Sequence, residues 1–394
     1  MRYAEVLAGR GDEVEVVALQ KEGKPAEETI KGVRVSRIQK RSFQEKQRLA
    51  FLWQVMMFFV KAMWLVTKRH LQKPYDVLHI NSIPDFLVFV AVVPKLMGAG
   101  IILDIHDILP ELYASKFGVS EKSVGFKIML FLERISCAFS DQVIIANHIW
   151  RERLLTRALP TEKCTVLLNY PDRSIFRAGL RTRESSEFVI LYPGTLNQHQ
   201  GLDVAIRAFS QIAAELPEVM FYIHGEGRCQ DQLVQLVEEL GLQKRVLFKP
   251  MLPIREIAKV MADADLAVVP KRKDNFGNEA FSTKIFEFMS SGVPVIVSDT
   301  KIDKYYFNDS VVKFFESGNV DNLARTMSLV IADASLRRRM VANATGFVSS
   351  FDWEVNKSTY TNLVDSVARG KSSNEDYRTA GQVKHAAAQG SGRD

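Results

Sequence analysis

At 394 residues, 47 % of them apolar and 25 % charged, the chain exceeds one compact domain and has the balance of an ordinary globular protein, so two domains are expected. Three widely spaced cysteines, Cys137, Cys164 and Cys229, form neither a zinc pattern nor a disulfide framework, and a reducing compartment fits them. The formal charge is +6, and it is not spread evenly.

The opening, MRYAEVLAGRGDEVEVVAL, reads as a short helix, a glycine-containing turn and a strand from about Glu13 to Leu19, without the pattern of a secretory signal. Between Lys40 and Pro74 eight basic residues (Lys40, Arg41, Lys46, Arg48, Lys61, Lys68, Arg69, Lys73) face one acid, Glu45. Inside them runs LAFLWQVMMFFVKAMWLV, residues 49–66, broken only by Gln54 and Lys61. Three readings fit: a spanning helix, which Lys61 would make costly; an internal helix; or a helix partly in the core and partly pressed on an anionic membrane surface. The basic flanks with Trp53 and Trp64 between them suit the last. Nucleic acid is not expected, because the cations bracket an aliphatic helix rather than an aromatic platform.

Next come a strand at 76–82, an apolar helix from Asp85 to Met97 closed by Gly98 and Gly100, and a strand within IILDIHDILPELY, 101–113. The end of that strand carries Asp104, His106, Asp107 and Glu111. Ligands bind outside the carboxyl ends of strands in open α/β sheets, so His106 is a candidate for touching a substrate. Asp107 would orient it or cap the next helix. A helix from Lys122 to Phe139 and a strand from Gln142 to Ala146 follow.

The charged stretch Arg177 to Glu187 lacks apolar periodicity, as a linker would. Beyond it strands and helices alternate: FVILYPG (188–194), a helix facing inward through Leu202, Ile206 and Phe209, VMFYIHG (219–225), and further units of the same kind. Such units imply a parallel sheet with both faces covered. The loop His224-Gly225-Glu226-Gly227 lets backbone approach a ligand closely but is no dinucleotide fingerprint.

The remaining chemistry centres on NEAFSTKIFEFMSSGVPVIVSD, Asn278 to Asp299. Ser282 and Thr283 can cap a helix, Lys284 to Ser291 can form it, and Gly292 and Pro294 end it. The N-terminus of such a helix offers free N–H groups and a positive dipole end to a phosphate, and Lys284 adds a full charge. Glu279, in the preceding loop, would sit beside the group attached to that phosphate. Glu287 could accept hydrogen bonds from vicinal hydroxyls such as those of a ribose. This is the layout of a nucleotide-sugar site.

These residues resemble the paired-glutamate (E-x7-E) region of retaining GT-B glycosyltransferases, family 4, in a subgroup with an S-T-K-x-F-E stretch, here Ser282 to Glu287. The D-x-H-D-x-x-P-E run from Asp104 and TVLLNYPDRSIF (165–176), with Asn169 and Asp172, are similar to that family too. The resemblance covers most of residues 1–370 and implies an α/β fold of GT-B type, two Rossmann-like domains facing across a cleft. Residues 1–180 would form the acceptor-side domain, 186–350 the donor-binding domain and 351–370 a helix crossing back to the first. The tail 371–394 is polar and aperiodic and is expected to be disordered. Family members carry a strand and a glycine-rich loop before a helix like RYAEVLAGRGDEV. Both are absent here, so the first strand of the first sheet is expected to be missing, and a start placed too far downstream is favoured over a fold that dispenses with it.

The activity implied is transfer of a hexosyl unit, with retention, from a UDP- or GDP-sugar to a saccharide or lipid-linked acceptor, in polysaccharide or glycolipid assembly. No metal or other cofactor is implied. The setting would be cytoplasmic, peripheral on the inner face of the cytoplasmic membrane. Glu279, His106, Asp107 and Lys284 carry the catalytic roles. Glu287, Gly194, Gly225, Gly227, Ser282 and Thr283 would bind the donor, with Thr195, Gln200 and Arg272. Thr195 and Gln200 stand where family members have an arginine and a lysine gripping the diphosphate, and Lys271, Arg272, Lys273 and Lys284 are expected to compensate. The rival readings are a sugar-nucleotide epimerase and a non-catalytic or weakly active membrane-associated subunit.

Overall fold

A computed structural model describes residues 1–21, 23–40, 48–82 and 84–370, and divides into two units. The first comprises residues 1–113, 120–168 and the chain from Lys357 onward, the second 114–119 and 169–356. The tail expected to be disordered, and part of the basic flank with Arg41 and Lys46, lie outside the described residues.

In the first unit, α1 (Arg2–Gly9) leads into β1 (Glu15–Gln20), and β2 (Glu27–Ile30) and β3 (Val33–Lys40) form a hairpin not foreseen in the sequence. Its turn has positive φ at both Lys31 (49°) and Gly32 (82°), the geometry that matches the twist of paired strands. The long helix α2 (Arg48–Gln72) then crosses to β4 (Val77–Asn81). A 3₁₀ segment (Asp85–Ala91) and α3 (Val92–Leu96) replace the single helix expected there. Pro94 explains the break: a continuous helix would need its missing N–H, and its ring would meet the carbonyl of Val90.

The strand β5 (Gly100–Ile105), helices α4 (Leu109–Phe117) and α5 (Val124–Phe139), β6 (Gln142–Ile145), α6 (His148–Arg157) and β7 (Cys164–Val166) complete the unit. Ser123 caps α5 by accepting from Phe126 N–H at 3.2 Å. Strands β4 to β7 make one parallel sheet in that order, and β1, β3 and β2 make a second. No strand joins the two sheets among the described residues, and β1 and β4 are each an outer strand. Their side chains are mostly half-buried, whereas β5 and β6 are almost wholly buried. The expected gap beside β1 is present as two open sheet edges.

The second unit holds one six-stranded parallel sheet. Chain order is β8 (Phe188–Pro193), α7 (Leu202–Ile212), β9 (Val219–His224), α8 (Gln230–Glu239), β10 (Val246–Lys249), α9 (Ile254–Ala262) and β11 (Leu266–Val269). Then come α10 (Thr283–Ser291), β12 (Val295–Ser298), α11 (Lys301–Tyr306), β13 (Lys313–Phe315), α12 (Val320–Ala332) and α13 (Ala334–Val348). In space the strands run β10-β9-β8-β11-β12-β13. From β8 the chain builds outward one way and from β11 the other, so the topological switch falls between them, where an open sheet leaves a crevice at its carboxyl edge. Helix α14 (Trp353–Ala368) begins in the second unit and passes into the first at Lys357. Within the first unit it packs closely on the sheet: a Cβ on Gly100 would lie 2.3 Å from Val367 Cγ1.

Candidate active site

The crevice between β8 and β11 is lined by backbone in close approach. After β8, Gly194 N–H donates to His224 O at 2.8 Å and Leu196 N–H to Glu226 O at 3.0 Å, so the 194–201 loop rests on the 225–227 loop. Glycine is required at the contact: a Cβ on Gly225 would lie 1.8 Å from Gly194 O, and one on Gly227 2.4 Å from Leu196 O. Gly201, at φ 66°, starts α7, and a Cβ there would lie 2.0 Å from Pro270 O at the end of β11.

Into this crevice comes the start of α10. Ser282 holds the N-cap position, but its hydroxyl makes no capping hydrogen bond, and the first turn contains no acid. The first turn therefore carries neither a side-chain cap nor a carboxylate of its own. Gly292, at φ 74°, ends the helix as expected. The Lys284 Nζ lies 4.6 Å from the centre of the Tyr192 ring and 3.2 Å from its hydroxyl, with Gln200 Oε1 at 3.5 Å. A Cβ on Gly194 would come within 2.7 Å of that amine. Burial pushes the Lys284 pKa down to about 8, against the pull of Glu287, with Lys271 pushing the same way as burial. The hydroxyl of Tyr192, which is wholly buried, lies 3.0 Å from both Thr195 O and Gln200 Oε1, which share its one proton.

Glu279 is 5 % exposed, and the Lys301 amine stands 3.4 Å from its carboxylate. Its loop is pinned from α11: Lys301 N–H donates to Asn278 Oδ1 at 2.9 Å and Ile302 N–H to Asn278 O at 3.0 Å. Beneath it, Lys271 donates to Ala280 O at 2.8 Å and pairs with Asp303 at 3.0 Å, itself held by Thr300 at 2.6 Å. Glu287 lies one helical turn beyond Lys284 on α10 and is half-buried.

The expected compensation by neighbouring cations needs correction. Lys271 is sealed against Asp303, Arg272 is bound by Asp203 and Lys273 by Asp299 at 2.7 Å. Lys284, of the four, has the neutral oxygens of Tyr192 and Gln200 within reach and feels the charge of Glu287 one turn on. In place of the absent arginine and lysine, Thr195 contributes its carbonyl and Gln200 its amide to fixing Tyr192 and the Lys284 amine.

His106 and Asp107 belong to the first unit. The His106 Nε2 lies 3.1 Å from Asn81 Oδ1 and 3.4 Å from Asp104 Oδ2, so Asp104 and Asn81, not Asp107, set its ring. The same Asp104, 2 % exposed, meets His79 at 3.2 Å, whose other nitrogen meets Tyr360 Oη at 2.9 Å. Asp107 has its carboxyl pKa raised by desolvation and lowered by His106. Glu111, grouped with these in the sequence, instead sits with Glu133 around Arg157 in the interior.

Comparison with known proteins bears on both units. Residues 177–347 match the family described as glycosyl transferases group 1, and residues 1–169 match the glycosyl transferase 4-like domain. An uncharacterised glycosyltransferase of Methanocaldococcus jannaschii is 27 % identical over 241 residues, 57 % of this chain and 59 % of that protein. The chain thus spans little more than half the length of that relative. Among solved structures, sucrose-phosphate synthase from Thermosynechococcus elongatus superposes with a TM-score of 0.77 at 18 % identity, covering 94 % of this chain and 92 % of the other. HepE of Anabaena, in complex with UDP and glucose, gives 0.69 at 19 % identity over 92 % and 94 %. At these identities the structural likeness establishes a shared fold.

Proposed function

We propose, from the match of residues 177–347 to the group 1 glycosyltransferases, that of residues 1–169 to the glycosyl transferase 4-like domain and the shared GT-B fold, that the chain moves a hexosyl unit from a nucleotide diphosphate sugar to an acceptor hydroxyl with retention at the anomeric carbon. The observation that carries this reading is the Lys284 amine, desolvated against Gly194 at the start of an uncapped helix, with buried Glu279 one loop away. A diphosphate placed there meets the helix N-terminus and one full positive charge, which stabilise the charge that develops as it departs. The bond from the anomeric carbon to the phosphate oxygen breaks, the bond to the acceptor oxygen forms, and the acceptor proton passes to the departing phosphate. Glu279 holds the sugar and stabilises its cationic transition state, Glu287 takes the ribose hydroxyls, and His106 with Asp107 serves the acceptor. Transfer proceeds without a metal ion and survives a chelator.

UDP is the favoured donor base, supported by the HepE structures that hold UDP and UDP-glucose. The acceptor is a saccharide or lipid-linked saccharide, in polysaccharide or glycolipid assembly, with residues 40–74 against a membrane. Calorimetry with UDP and GDP, followed by transfer assays with the corresponding sugars, tests the reading. Glu279→Gln is expected to keep nucleotide binding and lower turnover by about 10²–10³, and Lys284→Ala to weaken both. Undiminished turnover in both variants would refute the assignment. A second reading, nucleotide binding without transfer, draws on the engagement of Lys271, Arg272 and Lys273 by carboxylates. UDP binding with no turnover of any donor would favour it.

A further inference from the structure

The loop after β8 carries a histidine that the proposed chemistry leaves unused. His199 is the middle residue of a 3₁₀ turn, Gln198–Gln200, and is half-buried. Its backbone is tied to the stretch after β11, where Arg272 N–H donates to His199 O at 2.9 Å. Its ring meets Phe276 edge to face, with centroids 5.6 Å apart. Held in this way, the imidazole brings its Nε2 to 3.0 Å from the amide nitrogen of Gln200.

Donor and acceptor chemistry fixes the nature of that contact. The Lys284 ammonium lies 3.5 Å from the amide oxygen of Gln200. An ammonium can only donate, so the carbonyl end of the amide belongs beside it and the NH2 end is left facing His199. That NH2 group donates in its turn. His199 Nε2 therefore accepts, which makes the imidazole neutral with its proton on Nδ1. A protonated imidazole would set two donors against each other across 3.0 Å. Turning the amide over relieves that opposition only by setting its NH2 against Lys284. A second proton on His199 and the hold on Lys284 exclude one another.

The surroundings favour the neutral ring. Burial pushes the His199 pKa down, Asp274 opposes it, and Lys284 and Lys271 push the same way as burial. Asp274 itself accepts from Phe276 N–H at 3.0 Å and from Gly277 N–H at 2.5 Å, and the Arg272 guanidinium is taken by Asp203. Gln200 stands where members of the resembled family carry a lysine. An amide in that place has two orientations, and only one of them supports Lys284.

We propose that His199 is a positioning residue of the donor site: its unprotonated Nε2 sets the Gln200 amide, whose carbonyl holds the Lys284 ammonium against Gly194. Its part in turnover rests on the transfer reading, whereas the contact itself does not. The arrangement makes the site sensitive to acid, because as pH falls and His199 takes up a proton the amide turns and Lys284 loses its support.

Nitrogen NMR of the ligand-free full chain, labelled at histidine, reads the contact without any donor, and His199→Gln identifies the signal. At about pH 7.5 the His199 Nε2 is expected at the shift of an accepting nitrogen, and a signal showing Nε2–H would overturn the proposal. With UDP release from UDP-glucose as the second readout, the parent is expected to lose about tenfold in kcat between about pH 7.5 and about pH 5. His199→Gln, whose side-chain carbonyl accepts in the same place without titrating, should keep the parent rate at the higher pH and lose the acid limb. His199→Lys, a donor throughout this range, should show the low rate at both. UDP binding by both variants in calorimetry shows that they fold. An acid limb that survives in His199→Gln, or a parental rate in His199→Lys, would also overturn the proposal. A parent that releases no UDP counts against the transfer reading alone, and the nitrogen spectrum then decides whether His199 sets the amide.

Discussion

Burial of the Lys284 amine is expected to cost the ligand-free protein stability while supplying charge to the proposed site. Burial brings its pKa from 10.5 to about 8, so between these values the unfolded chain holds the proton more tightly and stability rises with pH. Below pH 8 the buried charge works against folding. Lys284→Met is therefore expected to raise the stability of the ligand-free protein at pH 7 by about 1–3 kcal/mol, read by urea unfolding, while nucleotide binding is lost. With the proposed diphosphate contact made to the protonated amine, UDP affinity should fall as pH rises beyond 8, and a flat calorimetric profile would count against Lys284 as the contact. Asp85 shows the opposite sign in the first unit. Burial, with Glu133 adding to it, pushes its carboxyl up to about 7, with Ser82 and Arg157 opposing. The folded state then holds the proton more tightly, and this contribution to stability is lost as pH rises from about 4 to about 7. Asp85→Asn should match the parent near pH 4 and melt at a higher temperature at pH 8.

At the scale of elements, the site depends on loops that touch through backbone alone. Gly225 and Gly194 belong to turns after adjacent strands, and a methyl group on Gly225 would collide with the Gly194 carbonyl at 1.8 Å. Gly225→Ala is expected to push the 194–201 loop aside and weaken UDP binding by at least about tenfold, with far-ultraviolet dichroism unchanged because the sheet beneath is not involved. Helix α10 is the element most legible in the sequence, since its span and its Gly-Pro stop are local signals, although Ser282 at its N-cap position makes the expected capping hydrogen bond with none of its N–H groups. The break before α3 was equally written in Pro94, yet the apolar periodicity from Asp85 to Met97 masked it. The β2 and β3 hairpin went unread because its strands are short and its turn, Lys31-Gly32, lacks the usual Asn-Gly or Asp-Gly pair.

For the whole molecule, a donor that binds one unit should still report in thermal unfolding. UDP at about a hundred times its dissociation constant is expected to add roughly 2.7 kcal/mol, a rise in melting temperature that Glu279→Gln retains and Lys284→Met loses. A melting curve indifferent to UDP, GDP and their sugars would remove the nucleotide site from the description. The sequence by itself determined the α/β class, the alternation of strand and helix in the second unit and the motif from Glu279 to Glu287, because periodicity, caps and paired carboxylates are properties of short stretches. Tertiary structure decided what those residues face. Tyr192 lies under Lys284, Lys301 beside Glu279, and Asp104 against His79, and each contact joins strands or loops separated in the chain. It also decided which cations are already held by carboxylates. A one-dimensional pattern gives each side chain its chemistry, and only packing assigns it a partner.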